Sequence, residues 1–284
     1  MSHPFVFACV TPHGLPILEE LSGDEPDLMA KTRHSMQQLG SWMHEAAPDT
    51  LIVLTPHGLK IEGMFSVSTS SFMAGEMSEQ TVAMMVGDER PDKGVTLHFK
   101  RSVDRDLANA MVTGAKAQSI PVAAANFATT QGPFSTLPLD WGAMVPLYFM
   151  PNVPIVVITP SRSLSYDDHL AMGRIIAQQV RQSGKRVGLI ASCDWSHAHD
   201  ARGPYGFHEN AKALDTQVIE LFKTNALEKM TSFSDAFIHH AKPDGIWQTL
   251  MLAGAIPEAS RKSTFLSYEV PTYFGMMCVA YHAS

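Results

Sequence analysis

Two copies of Thr-Pro-His-Gly stand at residues 11–14 and 55–58, each directly after a short apolar run, FVFACV and LIVL. Pro fixes φ and opens a turn, and Gly lets the backbone pass close to a neighbour. The imidazole is the part that can do chemistry, because a neutral His nitrogen is the commonest protein ligand for a metal ion. In open α/β sheets, ligands settle in the crevice beyond the carboxyl ends of the strands. His13 and His57 would then open onto one edge. The strand-end Thr-Pro returns in IVVITPSRS, where Ser161 and Arg162 follow in place of His. The turn is therefore a shared device and the His is the variable part. A single His beside a strand end is more often a hydrogen-bonded turn residue than a ligand. Two in identical context point to one shared metal ion.

Further candidates gather around that edge. In VGLIASCDWSHAHD, a loop after a third apolar run crowds Asp194, His197, His199 and Asp200 together. Glu269 sits alone in LSYEVPTYFG, a mostly apolar segment where an unpaired carboxylate would be costly, so it is the expected third ligand. Two His and one carboxylate leave open positions on non-haem Fe(II). Zinc hydrolases use the same donors, so donor type leaves the metal open. Arg162, at a strand end, could pair with a substrate carboxylate, a surface ion pair being the commoner fate. Tyr268 and Tyr273 flank Glu269 and could orient oxygen groups, with core packing as the default.

The elements that must hold these side chains alternate in type. Strands are expected at Phe5–Val10, Leu51–Thr55, Pro121–Ala124, Ile155–Thr159 and Val187–Ser192, mostly continuous apolar runs that suit burial on both faces. Helical periodicity fills 26–47 and 168–184, and a third helix begins near His208. Residues 63–103 are less regular and suggest a strand followed by a loop. This alternation predicts a single α/β domain over 1–284, with a central, largely parallel or mixed sheet and helices on both faces. The chain has 284 residues, 45% of them apolar, and a net charge of −7 without acidic blocks. That balance argues against general nucleic-acid binding. Three cysteines without CxxC spacing read as free thiols in a reducing compartment. The N-terminus lacks a signal-peptide pattern, and no run approaches the ~18–20 apolar residues of a membrane span. A cytoplasmic location is expected.

Taken in order, TPHG, LIVLTPHG, LDWGAMVPLYF at 139–149, ASCDWSHAHDARGPYGFHENAKALD at 191–215 and LSYEVPTYFGMMCVAY at 266–281 resemble the class III extradiol ring-cleaving dioxygenases. The segment DGIWQTLMLAGAI at 244–256 resembles that family's helix before the last strands. The resemblance implies Fe(II) held by His13, His57 and Glu269, although Zn or Mn could occupy the purified protein. It implies His197 as acid/base, with neighbouring His199 as the other candidate. The substrates would be a small aromatic diol and O₂. A homo-oligomer is common in the family, and some relatives need a small accessory subunit. One departure stands out. Many members have Asp-His-Gly where this chain has Asp140-Trp141-Gly142, and Trp141 cannot exchange a ring proton. It could instead stack on an aromatic substrate. Memo-like proteins, which share the fold without established ring cleavage, and a zinc-dependent hydrolase are the alternatives.

Overall fold

The computed structural model describes residues 3–86 and 94–283. Its strands are β1 (Phe7–Thr11), β2 (Thr50–Leu54), β3 (Phe65–Ser68), β4 (Phe72–Ser78), β5 (Thr96–Ser102), β6 (Val122–Ala125), β7 (Thr136–Pro138), β8 (Ile155–Thr159), β9 (Val187–Ser192), β10 (Ser263–Glu269) and β11 (Met276–His282). Eight form one sheet in the order β10-β11-β1-β9-β2-β8-β3-β6. The central four, β1, β9, β2 and β8, run parallel to one another, and every residue in them is buried. These are the apolar runs of the sequence, which lack a polar face because helices cover both sides. The flanks reverse direction: β11 is antiparallel to β1 and β10, and β3 is antiparallel to β8. The sheet is therefore mixed.

The helices are α1 (Ala30–Glu45), α2 (Glu79–Val86), α3 (Arg105–Ala117), α4 (Trp141–Phe149), α5 (Tyr166–Ser183), α6 (Asn210–Lys223), α7 (Asp235–Ala241) and α8 (Ile246–Ala255). Successive strand residues face opposite ways, and β2 shows the consequence. Leu51 and Val53 pack in a cluster with Leu39, Met43 and Val145 of α1 and α4. Ile52 and Leu54 join Met111, Ile175 and Leu250 of α3, α5 and α8 on the other side. Helix α5 begins two residues earlier than its apolar period suggests. Ser165 and Asp168 form a capping box, and Gly184 closes the helix in the left-handed region at φ 67°.

The described residues between 63 and 103 hold more order than their composition suggests, residues 87–93 lying outside the described part. Where a loop is expected after one strand, β4 pairs with β5 and β7 in a second, three-stranded sheet. Met73 and Met77 of β4 are buried in the core, and Ala74, Gly75 and exposed Glu76 between them mask a strand with one covered face. Among the described residues, no helix is long and apolar enough to cross a membrane.

Glycines permit three close approaches. A Cβ on Gly173 of α5 would lie 2.0 Å from the Met251 carbonyl oxygen, and one on Gly254 of α8 would lie 2.0 Å from that of Leu170. The backbones of α5 and α8 therefore touch near the C-terminal end of α8. At the end of β2, a Cβ on Gly58 would lie 2.2 Å from Thr159 Oγ1. Gly58→Ala should lower stability by roughly 1–3 kcal/mol through overpacking, measured by thermal unfolding. Adding Thr159→Ala should recover part of that loss; if it recovers none, steric crowding at this contact is not the cause.

Candidate metal centre

Because β1, β9 and β2 are neighbours, their carboxyl ends deliver His13, Asp194 and His57 to one crevice. The Nε2 atoms of His13 and His57 lie 3.1 Å apart, with the two rings at 82°. Asp244 completes the group from the turn before α8. Its Oδ2 is 3.3 Å from His13 Nε2 and 3.5 Å from His57 Nε2. The three donor atoms all lie within 4.8 Å of one another, a grouping that can hold a metal ion.

Hydrogen bonds prepare each donor. The Ser192 hydroxyl gives its one proton to the Gly142 carbonyl at 2.5 Å, so toward His13 it can only accept. His13 Nδ1, 2.9 Å from Ser192 Oγ, must then carry the proton, which leaves Nε2 as the lone-pair nitrogen of the neutral ring. Asp244 is held by Asp194, whose backbone N–H donates to Asp244 Oδ1 at 2.8 Å. Asp194 Oδ1 in turn accepts from the His13 backbone N–H at 3.0 Å. Thr55 Oγ1 donates to Asp140 Oδ1 at 2.7 Å, and the same oxygen caps α4 through the Ala143 N–H. That link sets Trp141 against His57, with ring centroids 4.2 Å apart in a stack.

Buried charge makes the group a cation trap. Burial alone would lower the His13 pKa, but Asp194 and Asp244 outweigh it and raise the value to about 9. Burial likewise holds His57 below its usual value, against the pull of Asp244. Asp244 is opposed by burial, yet His13 and His57 keep it well below the ordinary carboxylate range. Asp194, buried beside Asp244, is raised instead. Without metal, a proton on His13 supplies the positive charge this arrangement requires. An incoming metal must displace that proton, so the site should bind more tightly as pH rises toward about 9. Titration with Co(II) between pH 6.5 and 8.5 should show up to about tenfold tighter binding per pH unit. A flat profile would mean that His13 is not protonated in the metal-free site.

The structure brings some of the expected residues together and not others. His13, His57, Trp141, His197 and Tyr273 line one cavity of about 250 Å³ beside the cluster. His197 donates from Nδ1 to the Lys242 carbonyl at 2.8 Å, which leaves Nε2 as its lone-pair nitrogen, and its ring stacks on Phe274. Glu269 is elsewhere. At the end of β10 its carboxylate accepts from the Thr32 backbone N–H at 2.9 Å and from Thr32 Oγ1 at 2.5 Å, in the first turn of α1. An anion is stabilised there by the helix terminus, so the lone acid in an apolar segment has a structural partner and needs no metal. Asp244 takes the third position in the cluster in its place. The signal for it lies in KPDGIW, where an Asp before a helix reads as an ordinary turn or cap residue. His199 turns into the interior, where Nε2 lies 2.9 Å from Asp215 Oδ2, an oxygen that also accepts from Tyr268. Arg162 stacks over Trp247 and borders a different, smaller hollow.

Comparison with known proteins places the chain in a family. Residues 7–278 match the family model described as the catalytic LigB subunit of aromatic ring-opening dioxygenase. Protein CA_C1420 from Clostridium acetobutylicum is 24% identical over 262 residues, covering 91% of this chain and 53% of that protein. The chain thus spans about half the length of that curated relative. The crystal structure of uncharacterized protein JW3007 from Escherichia coli K12 has a TM-score of 0.60 and 17% identity, over 97% of this chain and 99% of that one, a likeness of fold. From the paired strand-end histidines to the last strand of the sheet, the chain belongs to the LigB family of catalytic subunits of aromatic ring-opening dioxygenases.

Proposed function

We propose that the protein is a non-haem Fe(II)-dependent extradiol dioxygenase, which cleaves a catechol-type ring with O₂. The observation that carries this reading is the His13–His57–Asp244 cluster opening onto a cavity with aromatic walls. Fe(II) held by those three residues would supply the positive charge and open positions that bring a diol and O₂ together. Two neutral imidazoles and one carboxylate carry net −1, so a divalent ion leaves +1. That surplus favours a diol that has lost one phenolic proton. His197 is the acceptor for this proton, because its Nδ1–H is committed to the Lys242 carbonyl and its Nε2 is not. Once protonated, the same nitrogen can return the proton to the opening ring. Stacking on Phe274 keeps the imidazole in one orientation through both transfers.

Trp141 favours a second reading, because it stacks on His57 where many relatives carry a proton-exchanging His. A metal-binding Memo-like protein without ring cleavage, or a zinc hydrolase, would share the cluster. The test is anaerobic loading with Fe(II) or Zn(II), followed by a catechol panel with O₂ uptake and product absorbance recorded. Uptake with Fe(II) alone is expected. Bound Fe(II) without uptake would support the Memo-like reading, and Zn(II)-dependent ester hydrolysis without O₂ would support the hydrolase.

A further inference from the structure

The cavity beside the cluster is polarised from one end to the other. At its inner end stand His13, His57 and Asp194, next to the buried carboxylate of Asp244. Most of the remaining wall is apolar, including Leu15, Leu28, Met29, Val82 and Phe274, with His197, Thr272 and the hydroxyls of Tyr205 and Tyr273 as its uncharged polar groups. Among the described residues, no Lys or Arg lines it. Tyr205, which lines the same cavity and lies 5.6 Å from the His197 ring, is 56% exposed. An aromatic surface therefore continues outward from the cavity into solvent.

Volume and charge together restrict the occupant. The cavity measures about 250 Å³, whereas a cavity of about 150 Å³ accepts a benzene ring. One ring leaves room for a substituent of several heavy atoms. A carboxylate on the ring, pointing away from the cluster, would lose its water against this wall with no Lys or Arg among the described residues to pair with it. An alkyl or aryl group would instead exchange water for apolar wall. We infer that this chain's site, resting on the ring-cleavage reading above, takes a catechol with an uncharged hydrophobic substituent rather than a carboxylated one.

The test reads binding separately from turnover. Zn(II)-loaded protein is titrated without O₂ against catechol, 4-propylcatechol and 3,4-dihydroxybenzoate, by calorimetry and by quenching of tryptophan emission. Each buried methylene tightens binding by about fourfold, so with its propyl group partly buried 4-propylcatechol is expected to bind about tenfold tighter than 3,4-dihydroxybenzoate. Leu28→Arg, at a half-buried wall position, should narrow or reverse that order by supplying a cation. Equal or tighter binding of the carboxylate by the unaltered protein overturns the inference, as does absence of binding by all three. O₂ uptake by the Fe(II)-loaded protein with carboxylated catechols alone would overturn the inference but keep the dioxygenase. The expected binding order without any O₂ uptake would do the reverse.

Discussion

Asp244→Ala will abolish tight metal binding, whereas Glu269→Gln will leave it intact. The first change removes the only carboxylate within 4.8 Å of both imidazole donors among the described residues. It also leaves Asp194 without the partner that accepts its backbone N–H. Removing an outer-shell partner of a metal ligand typically costs 10–100-fold in affinity. Loss of the ligand itself should therefore exceed about 100-fold. Glu269→Gln weakens a charge-assisted bond at the first turn of α1. Its effect should appear as about 1–2 kcal/mol of lost stability with unchanged metal content. Elemental analysis after dialysis, paired with thermal unfolding, separates the two results. Metal lost from Glu269→Gln but kept by Asp244→Ala would remove the basis for the proposed centre.

The second large effect concerns His197. His197→Gln should keep the metal but lower turnover by about 10²–10⁴-fold, the usual worth of general acid–base assistance. Glutamine can still donate toward the Lys242 carbonyl, so the loop that carries it should keep its shape. What it cannot do is hold a proton in transit. His199→Gln should act differently. His199 is bound to buried Asp215, which also accepts from the Ser196 backbone N–H and from Tyr268. Its loss should lower thermal stability and shift turnover far less than the His197 change. Full activity of His197→Gln together with inactive His199→Gln would exchange the two roles.

Much of the frame is legible in the residues because it rests on local and periodic features. Ile155–Thr159 and Val187–Ser192 are strands with the boundaries their apolar runs suggest, since burial on both faces removes every polar interruption. The second sheet is less visible. Residues of β4 mix covered, half-covered and exposed environments, so their composition resembles loop. The doubled TPHG shows two histidines at equivalent strand ends, and their meeting follows from adjacency of parallel strands. Glu269 and Asp244 show where such reasoning stops. Both acids carry the same formal charge, and burial cost applies to either until a partner is known. For Glu269 that partner is a helix N-terminus 237 positions earlier in the chain.

By itself, the sequence determined an α/β chain with two strand-end imidazoles and an acid/base histidine candidate in the CDWSH segment. Those properties depend on side-chain type and short-range spacing. Only the tertiary structure decided which carboxylate joins the imidazoles, that His197 and not His199 lines the cavity, and that Arg162 lies outside it. The physical reason is that ligand choice depends on distances of a few ångströms. Such distances are set by how Asp194, just after β9, holds the turn before α8, a contact that leaves no periodic trace in the chain.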